Sequence, residues 1–166
     1  MAWKNRLWFI VDNTADTFYL ATNAISGVSS NFDFGALLVH GGDLKAMASW
    51  TVDGGDGIDD KLVLMGQGGD VLVYEGTDPA AAATFRIIGR WFAGRPPSGR
   101  RFFSKYGGDL SILCENGIQY MSQLLQARGL LDPETEKSSP AHRFNEAIGR
   151  DVRATRGQNF WRAIFL

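Results

Sequence analysis

Apolar positions along the chain come in short runs broken by turn chemistry, a spacing that predicts strands almost throughout. Segments 6–13 (RLWFIVDN) and 17–22 (TFYLAT) read as a hairpin, and 32–39 offers a further strand. Then 44–52 (LKAMASWTV), 61–65 (KLVLM), 71–74 (VLVY) and 84–92 (TFRIIGRWF) follow as four successive strands, the content of one propeller blade. A further unit begins at 101–106 (RFFSKY), continues through 110–114 (LSILC), and turns at Glu115-Asn116-Gly117 into 118–125. Asn-Gly between apolar runs is a strong hairpin signal.

The punctuation repeats as well. Gly-Gly-Asp followed by an apolar residue occurs at Gly41-Gly42-Asp43-Leu44, Gly68-Gly69-Asp70-Val71 and Gly107-Gly108-Asp109-Leu110. Glycine supplies positive φ at a reversal and Asp bonds neighbouring backbone, so each copy is expected to be a tight β corner. Leu7, Leu62 and Leu110 open three alignable second strands, each followed by a strand with a tyrosine (Tyr19, Tyr74, Tyr120). Their period is somewhat longer than the roughly 40 to 50 residues of propeller repeats. The expected fold is all-β: an incomplete β-propeller-like array of antiparallel blades forming a single partial propeller domain over 1–166. One blade is complete, and the first unit lacks its opening strand. Residues 1–131 hold the blades, 132–157 a polar linker and helix, and 158–166 (beginning at Gln158) a terminal strand.

One segment departs from the β pattern. Phe144, Ile148 and Val152 recur every fourth residue, Ser139 is placed as an N-cap, Pro140 as the first helical residue and Gly157 as the stop. This predicts an amphipathic helix near the C-terminus whose apolar side packs on a sheet, with Arg143, Arg150 and Arg153 toward solvent or a partner.

Composition agrees with a turn-rich globular chain. Its 166 residues are 45% hydrophobic with a formal charge of -1, enough for a real core. Twenty glycines without a collagen period indicate many turns, and five Trp with eleven Phe supply bulky contacts between sheets. The single cysteine, Cys114, has no internal partner for a disulfide and reads as a buried strand residue. No bilayer-spanning run occurs, and the apolar run 7–11 is too short for a signal-peptide core.

Charge is placed unevenly. Between Asp53 and Asp78 seven acids face Lys61 alone, whereas Arg86, Arg90, Arg95, Arg100, Arg101 and Lys105 follow without an acid. Such blocks are read either as contacts with nucleic acid or a neighbouring subunit, or as solvated, mutually paired strand edges.

Chemistry-bearing patterns are few. Residues 53–60 (DGGDGIDD) place four carboxylates within reach of calcium, yet glycines or Ile58 fall where an EF-hand needs oxygen donors, and a surface turn held by Asx-type hydrogen bonds is the competing reading. Phosphate-loop, dinucleotide and nucleophile-elbow motifs are absent, and His40 and His142 lie at no zinc-ligand spacing. Neither an enzyme nor a cofactor is expected; paired carboxylates of a glycosidase remain a spatial question.

The succession Arg6-Leu7-Trp8-Phe9, Ser49-Trp50, 53–63 (DGGDGIDDKLV), 69–79 (GDVLVYEGTDP), Gly99-Arg100-Arg101 and Gly107-Gly108-Asp109-Leu110 resembles the β-propeller region of tail nozzle proteins of short-tailed bacteriophages, also called packaged-DNA stabilisation or tail-hub proteins. The resemblance covers most of the chain. It implies a virion protein, assembled in the host bacterial cytoplasm and multimeric about the tail axis, that closes the DNA exit channel and takes part in genome retention and ejection. Family members are longer, so the chain is expected to correspond to a segment of such a propeller or to a prophage remnant. Expected partners are other copies of itself, other phage tail proteins and non-specific DNA, with no small-molecule substrate. Expected subunit or DNA contacts are Arg95, Arg100 and Arg101 on the Pro96-Pro97 corner, and Asp56, Asp59 and Asp60 on the acidic corner. The alternative is a carbohydrate-binding or carbohydrate-cleaving propeller for host-surface recognition, with Trp50, Tyr74 and Trp91 stacking on sugar rings.

Overall fold

The computed structural model describes residues 1–53, 58–126 and 140–155. Among the described residues the chain is mostly β, with three antiparallel sheets and few helices. It divides into two compact units, Met1–Phe92 and Ala93–Leu166.

The first unit holds two four-stranded meanders. One runs β1 (Ala2–Trp3), β2 (Arg6–Ile10), β3 (Asp16–Tyr19) and β4 (Ser30–Asp33); the other runs β5 (Leu44–Asp53), β6 (Ile58–Gly66), β7 (Asp70–Gly76) and β8 (Phe85–Phe92). In each the spatial order equals the chain order, every strand pairing antiparallel with the one that follows it in the chain. The first meander does have its opening strand, contrary to the sequence expectation. Lys4 and Asn5 take φ of 46° and 59° and turn the chain between the paired Trp3 and Arg6, a primed two-residue hairpin with no glycine to announce it.

The two meanders share one core. Trp3, Trp8 and Tyr19 from the first sheet meet Leu44, Leu62, Leu64, Leu72, Tyr74 and Phe85 from the second. Phe34 and Leu38 fill the corner between them. Aromatic rings form much of this layer: Trp3 meets Trp8 edge-on at 6.2 Å, and Tyr74 stacks on Phe85 at 4.7 Å. Leu62 to Met65 and Val71 to Val73 are fully buried without alternation, so both faces of the central pair β6–β7 are covered. That is why these strands read as continuous apolar runs.

Two expected strands end early for local reasons. The segment expected to be extended over 32–39 leaves the sheet after Asp33, whose carboxylate accepts the Gly35 amide at 2.7 Å, and winds into a 3₁₀ turn at Gly35–Leu37. Phe34 is thereby turned inward. In the second unit, β9 (Phe103–Tyr106), β10 (Asp109–Cys114) and β11 (Gly117–Tyr120) form a three-stranded sheet, but the expected strand 118–125 becomes helix α1 (Met121–Gln126). Asp109 receives the Ser122 amide at 3.2 Å and the Ser122 hydroxyl at 2.5 Å, capping the new helix from another strand. A short apolar run carries no periodicity that distinguishes these outcomes.

The late helix is present as α2 (Pro140–Ala154), beginning at proline, whose missing amide costs nothing in a first turn. Its inward side matches the expected one at Val152 but not at Phe144. Phe144 is 69% exposed, whereas Gly149 and Val152 are buried. The Asn145 carboxamide accepts from the Ile118 amide at 2.5 Å and donates to the Ile118 carbonyl at 3.1 Å, and the Arg153 guanidinium donates to the Glu115 carbonyl. Positions 145, 149 and 153 thus make one polar and glycine stripe that lies on the β10–β11 hairpin. Arg150 is exposed as expected, and the side chain of Arg143 lies outside the described residues. So do Ser139, Gly157, the linker 132–139 and the expected terminal strand over 158–166.

Gly149 tests this docking. An added Cβ would sit 2.6 Å from the Glu115 carbonyl oxygen and 2.9 Å from the Gly117 amide nitrogen. Glycine to alanine inside a solvated helix gains about 1 kcal/mol, but Gly149→Ala should instead lower stability by about 1–3 kcal/mol through overpacking. Urea unfolding of the two proteins checks the sign.

Candidate functional site

Arg95, Arg100 and Arg101 are carried on an irregular stretch, 93–102, that leads into β9. Ala93, Gly94, Pro96, Pro97 and Phe102 are buried while the three arginines are exposed, so the stretch is rooted in its unit and displays its charges. Hydrogen bonds fix both ends. Glu115 takes the Arg95 amide on its carboxylate at 3.2 Å and gives its own amide to the Arg95 carbonyl at 2.9 Å. The Ala93 carbonyl accepts from the Asn116 side chain at 3.2 Å, and the Phe102 carbonyl accepts the Leu113 amide at 2.8 Å. Gly94 is required here: at φ of 94° its Cβ would stand 2.6 Å from the Asn116 carboxamide nitrogen.

The acidic corner belongs to the other unit, and Asp56 lies outside the described residues. Asp59 pairs in register with Val52 across the β5–β6 ladder. Asp60 is half-buried and accepts the Thr51 hydroxyl at 2.5 Å from the neighbouring strand. For calcium, residues 54–57 of the candidate loop also lie outside the described residues; elsewhere among the described residues no three His, Cys, Asp or Glu groups converge.

Much of the charge imbalance resolves into cross-strand pairs. Lys61 on β6, Glu75 on β7 and Arg86 on β8 form a positive-negative-positive row, with contacts of 3.2 Å and 2.5 Å to the carboxylate. Hydrogen bonding to Arg86 and then to Lys61 holds the Glu75 carboxyl below its ordinary range. Arg6 pairs with Asp78 at 3.1 Å, and Arg90 donates to the Leu37 carbonyl at 3.2 Å. These members of the two blocks serve the fold. Arg95, Arg100, Arg101 and Lys105 remain on the surface.

Sequence reasoning missed one constellation. Asp70, 2% exposed, grips His40 twice, accepting its backbone amide at 2.7 Å and facing its Nδ1 at 2.8 Å. The His40 ring is half exposed and lies 4.5 Å from Phe92. This clip ties the connector before β5 to the start of β7. The signal was the Asp of the second Gly-Gly-Asp, but its histidine lies thirty residues away in sequence and no spacing rule joins them.

Cys114 is buried, its sulfur 2.9 Å from the Ala93 carbonyl oxygen and 3.2 Å from that of Gly117. Burial pushes its thiol up to about 12, with the Glu115 charge adding a smaller push in the same direction. Of the aromatic platforms considered for sugars, Trp50 and Tyr74 are buried and Trp91 is half-buried. Among the described residues no helix is long and apolar enough to cross a membrane. No protein-family model matches the chain, and neither a curated protein nor a solved structure matches it.

Two outcomes follow from these environments. Glu75 is depressed in the folded state, so its stabilisation is complete at neutral pH and drains away as pH falls through the ordinary carboxylate range of about 4 toward the folded value. The stability gap between wild type and Glu75→Gln should therefore narrow between neutral and acidic pH; a gap that stays constant would show that the row carries no pH-dependent stability. Cys114 should resist iodoacetamide in the native protein at neutral pH and react fully in denaturant, because thiolate is the reactive form. Rapid native labelling, read by mass spectrometry, would contradict its burial.

Proposed function

We propose that the chain is a bacteriophage virion structural protein, a tail nozzle or hub segment built as part of a β-propeller. It helps close the DNA exit channel and takes part in genome retention and ejection. The observation that carries the propeller reading is the pair of consecutive four-stranded meanders packed face to face, with the inner strands of the second covered on both faces and a third meander following in the chain. Blades of a propeller are sequential antiparallel sheets of this kind, each needing neighbours to bury its faces. The tail-nozzle assignment itself rests on the resemblance of the sequence.

The surface chemistry suits a passive wall. A conduit lined only with Lys and Arg would hold phosphate strongly and oppose movement of DNA, since each neutralised phosphate adds salt-dependent affinity. Here several cations are paired within the fold, and Arg95, Arg100 and Arg101 are displayed from a rooted stretch. In this reading they contact neighbouring subunits or DNA, with the acidic corner that includes Asp56, Asp59 and Asp60 as a second contact. The protein acts without turnover and without a cofactor, in the virion, after assembly in the bacterial cytoplasm. The lectin alternative is weakened by the burial of Trp50 and Tyr74, which leaves neither face open for a sugar ring.

Combined Arg100→Glu and Arg101→Glu substitution in the parent phage should reduce the fraction of DNA-filled particles several-fold while leaving the isolated chain folded. Electron microscopy of purified particles reads that fraction, and an unchanged count would remove these arginines from the assembly.

A further inference from the structure

We propose that helix α2 positions the arginine-bearing stretch 93–102, with the β10–β11 turn at Glu115, Asn116 and Gly117 linking the two. All three parts belong to the second unit. On one side the turn holds the stretch. Glu115 receives the Arg95 amide on its carboxylate and gives its own amide to the Arg95 carbonyl, while the Asn116 carboxamide donates to the Ala93 carbonyl. On the other side the helix holds the turn. The Arg153 guanidinium donates to the Glu115 carbonyl, and the Asn145 carboxamide bonds both the amide and the carbonyl of Ile118, one residue further on. Glu115 is therefore tied to Arg95 and to Arg153 at once, through different groups.

Close packing makes this link stiff. A Cβ on Gly94 would stand 2.6 Å from the Asn116 carboxamide nitrogen, one on Gly117 2.5 Å from the Asn145 carbonyl oxygen, and one on Gly149 2.6 Å from the Glu115 carbonyl oxygen. Stretch, turn and helix are thus stacked with no room for a methyl group at any of these contacts, and all three glycines are buried. Interiors packed this tightly have low compressibility and transmit strain. A displacement of α2 takes the support from Glu115, and with it the backbone that carries Arg95.

Asn145 and Arg153 are then positioning residues for the arginine contact, acting through the turn. The importance of that contact rests on the reading of Arg95, Arg100 and Arg101 as meeting neighbouring subunits or DNA. In that reading the docking of α2 regulates the same surface: a partner that displaces the helix loosens the root of the stretch. Coupling of this kind is reciprocal, so a partner that binds only the rooted stretch also favours the docked helix.

Native-state hydrogen exchange of the full chain, followed amide by amide by NMR, tests the coupling. Asn145→Ala removes both bonds to Ile118, and Arg153→Met removes the helix's donor to Glu115. In each variant the Arg95 and Glu115 amides should exchange about tenfold faster, as loss of one hydrogen bond's worth of support implies. Leu64 and Val73 of the first unit should keep their wild-type rates. Glu115→Gln retains an oxygen for the Arg95 amide and should stay near wild type, whereas Glu115→Ala should free that amide with α2 in place. If Asn145→Ala does not fold, Arg153→Met, a change at an exposed side chain, carries the test. An Arg95 amide that is unprotected in the wild type, or that keeps its wild-type rate in Arg153→Met, overturns the proposal. Equal acceleration at Leu64 and Val73 marks general unfolding in place of coupling and overturns it too. The virion reading is judged separately by the count of DNA-filled particles.

Discussion

Burial of the β6–β7 pair on both faces is the constraint from which the first unit is built. With Leu62 to Met65 and Val71 to Val73 removed from water on both sides, the strands must be flanked within their sheet by β5 and β8 and covered above and below. One cover is the first meander, whose Trp3, Trp8 and Tyr19 fill the layer over Leu62, Leu64, Leu72 and Tyr74. At about 25 cal/mol per Å² of apolar surface, each large side chain in this layer contributes on the order of 1.5–3 kcal/mol, more than any surface ion pair supplies. The corner through Phe34 and Leu38 and the clip from Asp70 to His40 then hold the connector along this layer.

The three Gly-Gly-Asp tripeptides show how one local motif serves different ends. All three contain a glycine with positive φ, at Gly41 and Gly42, at Gly69 and at Gly107. The second and third close the β6–β7 and β9–β10 hairpins, whereas the first lies in the connector between two sheets. Their aspartates diverge further: Asp43 lies 3.7 Å from Lys45, Asp70 holds His40 and Asp109 caps α1. Glycine's conformational freedom is a property of the residue, so the turns are legible in the sequence. A carboxylate binds whatever donors the fold brings near, so its partner is not.

Polar groups close edges as well as fill turns. Asn145 substitutes for a strand at Ile118, and the Lys61–Glu75–Arg86 row lies across three strands. Each lets a sheet stop or face solvent without leaving its donors and acceptors unmatched. The apolar spacing of α2 suggested packing through Phe144, but the closeness demanded by the β10–β11 hairpin favours Gly149, and the exposed phenyl is left outside.

The sequence by itself determined the strands of the second meander, the hairpin at Asn116-Gly117, the burial of Cys114 and the existence of the late helix. Each depends on short-range chemistry: apolar runs, turn residues and helix starts act within a few neighbours. The early exit of the chain after Asp33, the conversion of 121–126 to helix, the Lys4-Asn5 turn, the His40–Asp70 clip and the inward face of α2 were decided by tertiary structure. Those depend on which donor, carbonyl or ring arrives from a distant strand, as when Asp109 reaches Ser122. The candidate surface divides in the same way, since the arginines could be named from their sequence, but their exposure above buried prolines follows from packing.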